Sequence, residues 1–175
     1  MLVGMEIRRV VTGHDDNGNS VFASDEMVAP LAAGTWVMWT CDETPHFPSD
    51  GSGPTALSSF FPEVGGSRFG FVLKPPDSAP MADDPAVVLR EAQEKLPGLV
   101  EHMEPETPGM HTSATMDFGM IVSGRVVLEL DDGATKVLGP GDTIVQNGTR
   151  HRWLNPFDEP CLWLGVMIGA NHDAL

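Results

Sequence analysis

The chain has 175 residues, 41% of them apolar, and a formal net charge of −15. That length holds one domain with a real core and falls short of two ordinary ones. So acidic a surface repels phosphate backbones and anionic membrane, which excludes nucleic acid and membrane as expected partners.

Cys41 and Cys161 are the only cysteines, and the start of the chain shows no apolar secretory segment, so both read as free thiols of a cytoplasmic protein. The longest apolar stretch, Cys161 to Ala170, is too short to span a bilayer. There is no tyrosine, which removes one common general acid.

The 19 glycines and 15 prolines are scattered, as turns between short strands would require. Residues Glu6 to Asp25 predict a hairpin, with IRRVVTG and SVFAS flanking the turn DDNGN. TWVMWT, from Thr35 to Thr40, predicts a strand, and the polar, Pro- and Gly-rich stretch from Asp42 to Gly66 a loop. RFGFVLK, from Arg68 to Lys74, predicts a strand with Phe69, Phe71 and Leu73 on one face and Arg68 on the other. Asp84 to Leu96 predicts the one helix, with Asp84 as N-cap, Pro85 at the first helical position and Pro97-Gly98 as the stop. It is expected to lie on the outside of a sheet. From Leu99 onward the pattern is all β, its short runs divided by SG, DDG, GPGD, NGT and NPFDEP. Regularly spaced strands of this kind indicate a sandwich or barrel. No repeat and no linker divides the chain.

Two segments carry candidate chemistry, Pro108 to Gly124 and Gly141 to Asn155. If the first is extended, His111, Ser113, Thr115 and Asp117 share one face; His151, Trp153 and Asn155 share one in the second. Within a closed barrel that side is the lumen. His111, His151 and Asp117 converging there would suit a divalent transition metal with open coordination positions. Ser113, Trp153, Trp163 and Met167 are the expected pocket lining. Arg68 is a candidate for a substrate carboxylate or else a surface residue. Arg150 and Arg152 are expected to point outward. His102 is placed at the barrel mouth or in a structural role, and His14, His46 and His172 in solvent.

These segments resemble the two motifs of the cupin superfamily. His111 stands where the first histidine of the first motif falls, Ser113 where the second falls, and Asp117 in place of its glutamate, with Gly124 closing the motif. In the second motif Gln146 replaces proline, and Gly148, His151 and Asn155 are in register. The resemblance implies an all-β, cupin-type jelly-roll barrel over residues 1–175. One short helix and an N-terminal hairpin extension (1–34) accompany the barrel proper (35–175), whose core motifs lie at 108–124 and 141–155. It also implies a metal inside the barrel and a homodimer. Cupin chemistry is diverse. Two readings follow. One is a metal-dependent enzyme of oxygenase, decarboxylase, isomerase or lyase type, acting on a small organic molecule with Fe, Mn, Zn or Ni and no organic cofactor. The other is a non-catalytic barrel that binds a small ligand and has lost its ion. The replacement of a ligand histidine by Ser113 and the shorter reach of Asp117 keep the second reading open.

Overall fold

A computed structural model describes residues 5–32, 34–53, 56–80 and 84–173. Among the described residues the chain forms antiparallel sheets and one short α-helix. The first strands, β1 (Ile7–His14) and β2 (Ser20–Val28), pair only with each other. Their turn is closed by Asp15, whose carboxylate accepts from the backbone N–H groups of Asn17 and Asn19. A two-stranded hairpin is marginal alone, and this one is held by packing. Met5, Ile7 and Val28 lie against Trp36, Met38 and Leu162. The Trp36 indole N–H donates to the Met5 carbonyl at 2.9 Å, and Arg9 donates to the Met38 carbonyl at 2.7 Å. The extension therefore docks through side chains and continues no strand ladder.

A five-stranded sheet has the order β3-β4-β10-β5-β8: β3 (Thr35–Cys41), β4 (Ser67–Lys74), β10 (Cys161–Gly169), β5 (Thr115–Ser123) and β8 (Thr143–Asn147). A three-stranded sheet has the order β7-β6-β9: β7 (Thr135–Leu138), β6 (Val126–Glu129) and β9 (Arg152–Leu154). Between them Ile121, Val126 and Cys161 are buried with Leu138, Trp153 and Trp163 packed around them. Alternation along each strand sends one set of side chains to this interior and the other outward, the cupin-type barrel the sequence implies. Cys41 and Cys161 are free thiols.

Two expectations are corrected. The helix α1 (Pro85–Lys95) starts as predicted, with the Asp84 carboxylate accepting from the Ala86 N–H at 2.9 Å. It does not lie on a sheet, however: Val87, Val88 and Leu89 are exposed, and burial begins at Leu96. Nor is the chain all β from Leu99. A 3-10 turn at Val100–His102 and further turns precede β5, which opens only at Thr115. Among the described residues no helix is long and apolar enough to cross a membrane.

Candidate functional site

His111 and His151 come together through the backbone. They form an isolated antiparallel bridge, the His111 N–H donating to the His151 carbonyl at 3.0 Å and the His151 N–H to the His111 carbonyl at 2.9 Å. Directly opposed residues of an antiparallel pair project to the same face, and the two ring centroids are 4.3 Å apart. The Nδ1 of His111 lies 3.1 Å from the Gly109 carbonyl, and the Nδ1 of His151 lies 2.9 Å from the Thr149 carbonyl. A carbonyl can only accept, so each Nδ1 carries the hydrogen and each Nε2 keeps its lone pair. Burial lowers both imidazole pKa values. That of His151 falls to about 4, helped by the neighbouring His111 and opposed by the Thr149 carbonyl. Two neutral rings with free Nε2 atoms thus face a cavity of about 310 Å³, which both line.

Asp117 enters the same cavity from the five-stranded sheet. Its register partners are Met167 on one side and Gln146 on the other, and Met167 in turn faces Arg68. One row across the sheet therefore reads Arg68, Met167, Asp117, Gln146. Burial pushes the Asp117 carboxyl up to about 6 against the opposing Thr115 hydroxyl, and its Oδ1 is buried without a hydrogen-bond partner.

Arg68 corrects both of its expected roles. It is 5% exposed, so it is no surface residue. Its N–H groups reach the carbonyls of Ser59, Cys41 and Ser67, the Ser58 hydroxyl and the Asp42 carboxylate. All the donors of a guanidinium are thereby committed, and none is left for a substrate. The residue is a strut that ties the loop after β3 to β4. Ser113 is also displaced from its expected place: it is fully buried, its hydroxyl lies 2.8 Å from that of Thr115, and it does not line the cavity. The parity argument fails there because residues 111–114 are not yet strand.

Trp153, Trp163 and Met167 line the cavity. The two indoles stack, with centroids 5.0 Å apart and planes inclined by 26°. His102 donates from Nδ1 to the Gly98 carbonyl at 2.7 Å and packs on Phe61 behind His111, a structural position. His46 is exposed. His14 and His172, expected in solvent, instead hold backbone: His14 the Ser49 carbonyl and His172 the Gly148 carbonyl, both at 3.0 Å. Arg150 and Arg152 pair with carboxylates, Arg150 gripping Glu104 through two bonds of 2.6 Å and Arg152 meeting Glu129.

Residue-by-residue reading missed the cavity floor. Gly70, Gly165 and Gly119 are successive register partners across β4, β10 and β5, and all three line the cavity. The available signal was a single glycine in the middle of each of three strand patterns, FGF, FGM and LGV.

Whether these residues suit the metal that the resemblance implies can be judged from their own chemistry. Two free Nε2 lone pairs and a buried, unpartnered carboxylate oxygen are what a divalent cation would satisfy. Yet among the described residues no three His, Cys, Asp or Glu side chains gather closely enough to hold an ion together. The expected trio is thus a fixed pair, His111 and His151, with Asp117 apart from it as a counter-charge in the same cavity. The fit is to a two-imidazole site and not to a preformed triad.

Residues 99–167 match the family model of the Cupin domain. Over 49 residues it is 41% identical to "Oryzines biosynthesis cluster protein J" of Aspergillus oryzae, covering 28% of this chain and 27% of that one. Over 153 residues it is 24% identical to "Cupin-domain-containing oxidoreductase fogC" of Aspergillus ruber, covering 84% and 63%. Among solved structures it is similar to a Cupin 2 conserved barrel domain protein from Salinispora arenicola, with a TM-score of 0.36, 18% identity, and coverage of 59% and 64%. The chain spans less than two thirds of the length of each of these.

Proposed function

We propose that this chain is a cupin oxidoreductase acting on a small organic molecule, with His111 and His151 at the reacting end of its cavity. The observation that carries the reading is the imidazole pair itself. Both Nδ1 atoms are tied to backbone carbonyls, which leaves both Nε2 atoms free at a cavity that both residues line. A pair fixed in this way is arranged to hold something through Nε2. The cupin-domain oxidoreductase from Aspergillus ruber supports the class of reaction.

His111 and His151 would hold a divalent transition metal, with Asp117 supplying negative charge in the same cavity. Such an ion, when bound, supplies Lewis acidity or a redox centre. The chain's own residues do the rest. Trp153 and Trp163 supply an aromatic wall of the cavity. Asp117, whose carboxyl titrates at about 6, is the group able to take up and return a proton near neutral pH. His151 is too weak a base, at about 4, to compete for that proton.

Metal analysis of protein purified without added metal or chelator tests this. About one divalent ion per chain in the wild type, lost in the His111→Ala/His151→Ala variant, is the expected result. A wild-type chain that arrives empty and takes up none of Fe, Mn, Zn or Ni in calorimetry would replace this reading by the non-catalytic ligand-binding barrel.

The expected homodimer is supported by the outer face of the five-stranded sheet. There Phe69, Val166, Phe118 and Val145 form one register row, and Phe118 and Val145 are 41% and 54% exposed. A second copy would cover that row. The free thiols of Cys41 and Cys161 suit a reducing, cytoplasmic setting.

A further inference from the structure

The cavity is bounded on one side by bare backbone. Gly70, Gly165 and Gly119 face one another across three neighbouring strands, in the cavity-facing register two residues along from Arg68, Met167 and Asp117. Of the three only Gly165 opens onto empty space: the Trp36 carbonyl closes over Gly70 and the Ile144 side chain leans against Gly119, so the opening over Gly165 is flanked by the two.

The three glycines are there for different reasons. A Cβ on Gly70 would lie 2.3 Å from the Trp36 carbonyl oxygen, so the close approach of β3 requires glycine. A Cβ on Gly119 would meet the Ile144 side chain at 3.0 Å. A Cβ on Gly165 would meet nothing within 4 Å, and the backbone there is not in the left-handed region. Neither packing nor conformation demands glycine at this position, although glycine weakens a strand. What it does is keep the centre of the floor empty.

We propose that the cavity takes a flat, uncharged hydroxylated aromatic molecule, its ring laid on the glycine floor over Gly165 and its oxygen-bearing edge turned towards His111 and His151. The inference rests on the reading that this cavity is the substrate site. Trp163, two residues from Gly165 on the same face, stacks on Trp153 and offers an aromatic wall beside the opening. A planar π-system lies flush on such a floor, whereas a puckered ring of the same size does not. The charges point the same way. Arg68 has every donor committed. Lys74 is paired with Asp77 at 2.7 Å. Beyond an ion at the imidazole pair, an anionic ligand finds no free cation among the described lining residues and meets the Asp117 carboxylate. The polar groups that do face inward, the two Nε2 atoms and Asp117, accept hydrogen bonds, which hydroxyl groups donate. At about 310 Å³ the cavity is at the small end of ligand sites, the size for one or two fused rings.

The test is binding, measured by tryptophan fluorescence and calorimetry on metal-free and Zn-loaded protein. The probes are naphthol, phenol, cyclohexanol and benzoate. Naphthol and phenol should bind at least tenfold more tightly than cyclohexanol and benzoate. Gly165→Val should cut naphthol affinity at least tenfold and leave Zn uptake within twofold of wild type. Its melting temperature should hold or rise, since valine suits a strand. Gly165→Ala, a smaller intrusion, should give an intermediate loss and serves if the Val variant fails to fold. No naphthol binding up to its solubility, cyclohexanol or benzoate binding as tightly as naphthol, or full naphthol affinity in both variants would each overturn the proposal. A wild type that takes up no ion, yet binds naphthol in a Gly165-dependent way, would defeat the metal reading alone. An ion-loaded protein indifferent to ring shape would defeat this inference alone.

Discussion

His111 and His151 belong to different segments, yet each donates its backbone N–H to the other's carbonyl, at 3.0 and 2.9 Å, and each anchors its own Nδ1 on a carbonyl two residues earlier in the chain. The arrangement is nearly symmetric. Ring position is set by the bridge, tautomer by the local turn, and neither depends on the other imidazole. Removing one ring should therefore leave the second in place.

That gives the first prediction. His151→Ala should keep the fold, because the bridge is made by backbone and the lost ring faces a cavity. Affinity for Zn or Co should fall by about tenfold to a hundredfold or more, since losing even a supporting group of a ligand costs that much. Calorimetric titration reads the affinity and circular dichroism the fold. Unchanged uptake alongside a collapsed melting curve would make His151 a structural residue instead.

Asp117 carries a pH prediction for the metal-free protein. Its folded pKa, about 6, lies above the ordinary carboxyl value of 3.8, so between these values the folded chain binds more protons than the unfolded one. Stability contributed by this group therefore falls as pH rises from about 4 to about 6, by something on the order of 3 kcal/mol. His151 acts in the opposite sense: its depressed pKa means that the unfolded chain binds more protons from about 4 up to 6.5, so stability rises with pH there. In the wild type the two slopes oppose each other, and His111, whose pKa burial also lowers, adds to the second. Asp117→Asn should remove the first, stabilising the chelated protein at pH 7.5 and steepening its loss of stability on acidification. Urea unfolding across this range checks it; a variant less stable than wild type at pH 7.5 would contradict the buried, unpaired carboxylate.

Arg68 is predicted to matter for stability and not for ligand choice. Arg68→Ala leaves the carbonyls of Ser59, Cys41 and Ser67 without their donor and breaks the pair with Asp42. A loss of about 2–4 kcal/mol is expected from several buried acceptors left unsatisfied. Arg68→Lys should recover little of it, because an ammonium cannot reproduce the planar fork. Limited proteolysis should show new cleavage between residues 42 and 59 in both variants. A variant of normal stability would mean that the loop is held by something else.

The exposed row on the outer sheet face yields a prediction about assembly. Phe118→Asp places a charge in the middle of that apolar row and should convert a dimer into a monomer without unfolding it. Light scattering on the two proteins at equal concentration decides the matter; a wild type that is already monomeric at micromolar concentration would dispose of the dimer.

Much of this protein is legible in its sequence. The DDNGN turn marks the first hairpin, Asp84 the helix start, and alternation the strands, because each signal is local: a cap, a turn or a side-chain period within a few residues. The pairing of His111 with His151 was also within reach, through motif spacing. Ser113 was misplaced because parity holds only along a continuous strand, and β5 begins at Thr115. Arg68 was misjudged because its partners lie in a loop whose path no local pattern records. The glycine floor is the clearest case. FGF, FGM and LGV each show one glycine inside a strand, but only strand order and register bring Gly70, Gly165 and Gly119 into a single row. Composition and local pattern thus determined the elements and the pairing of the two histidines. Tertiary structure alone decided which side chains were consumed in holding the fold and which space was left empty, because both depend on contacts between residues far apart in the chain.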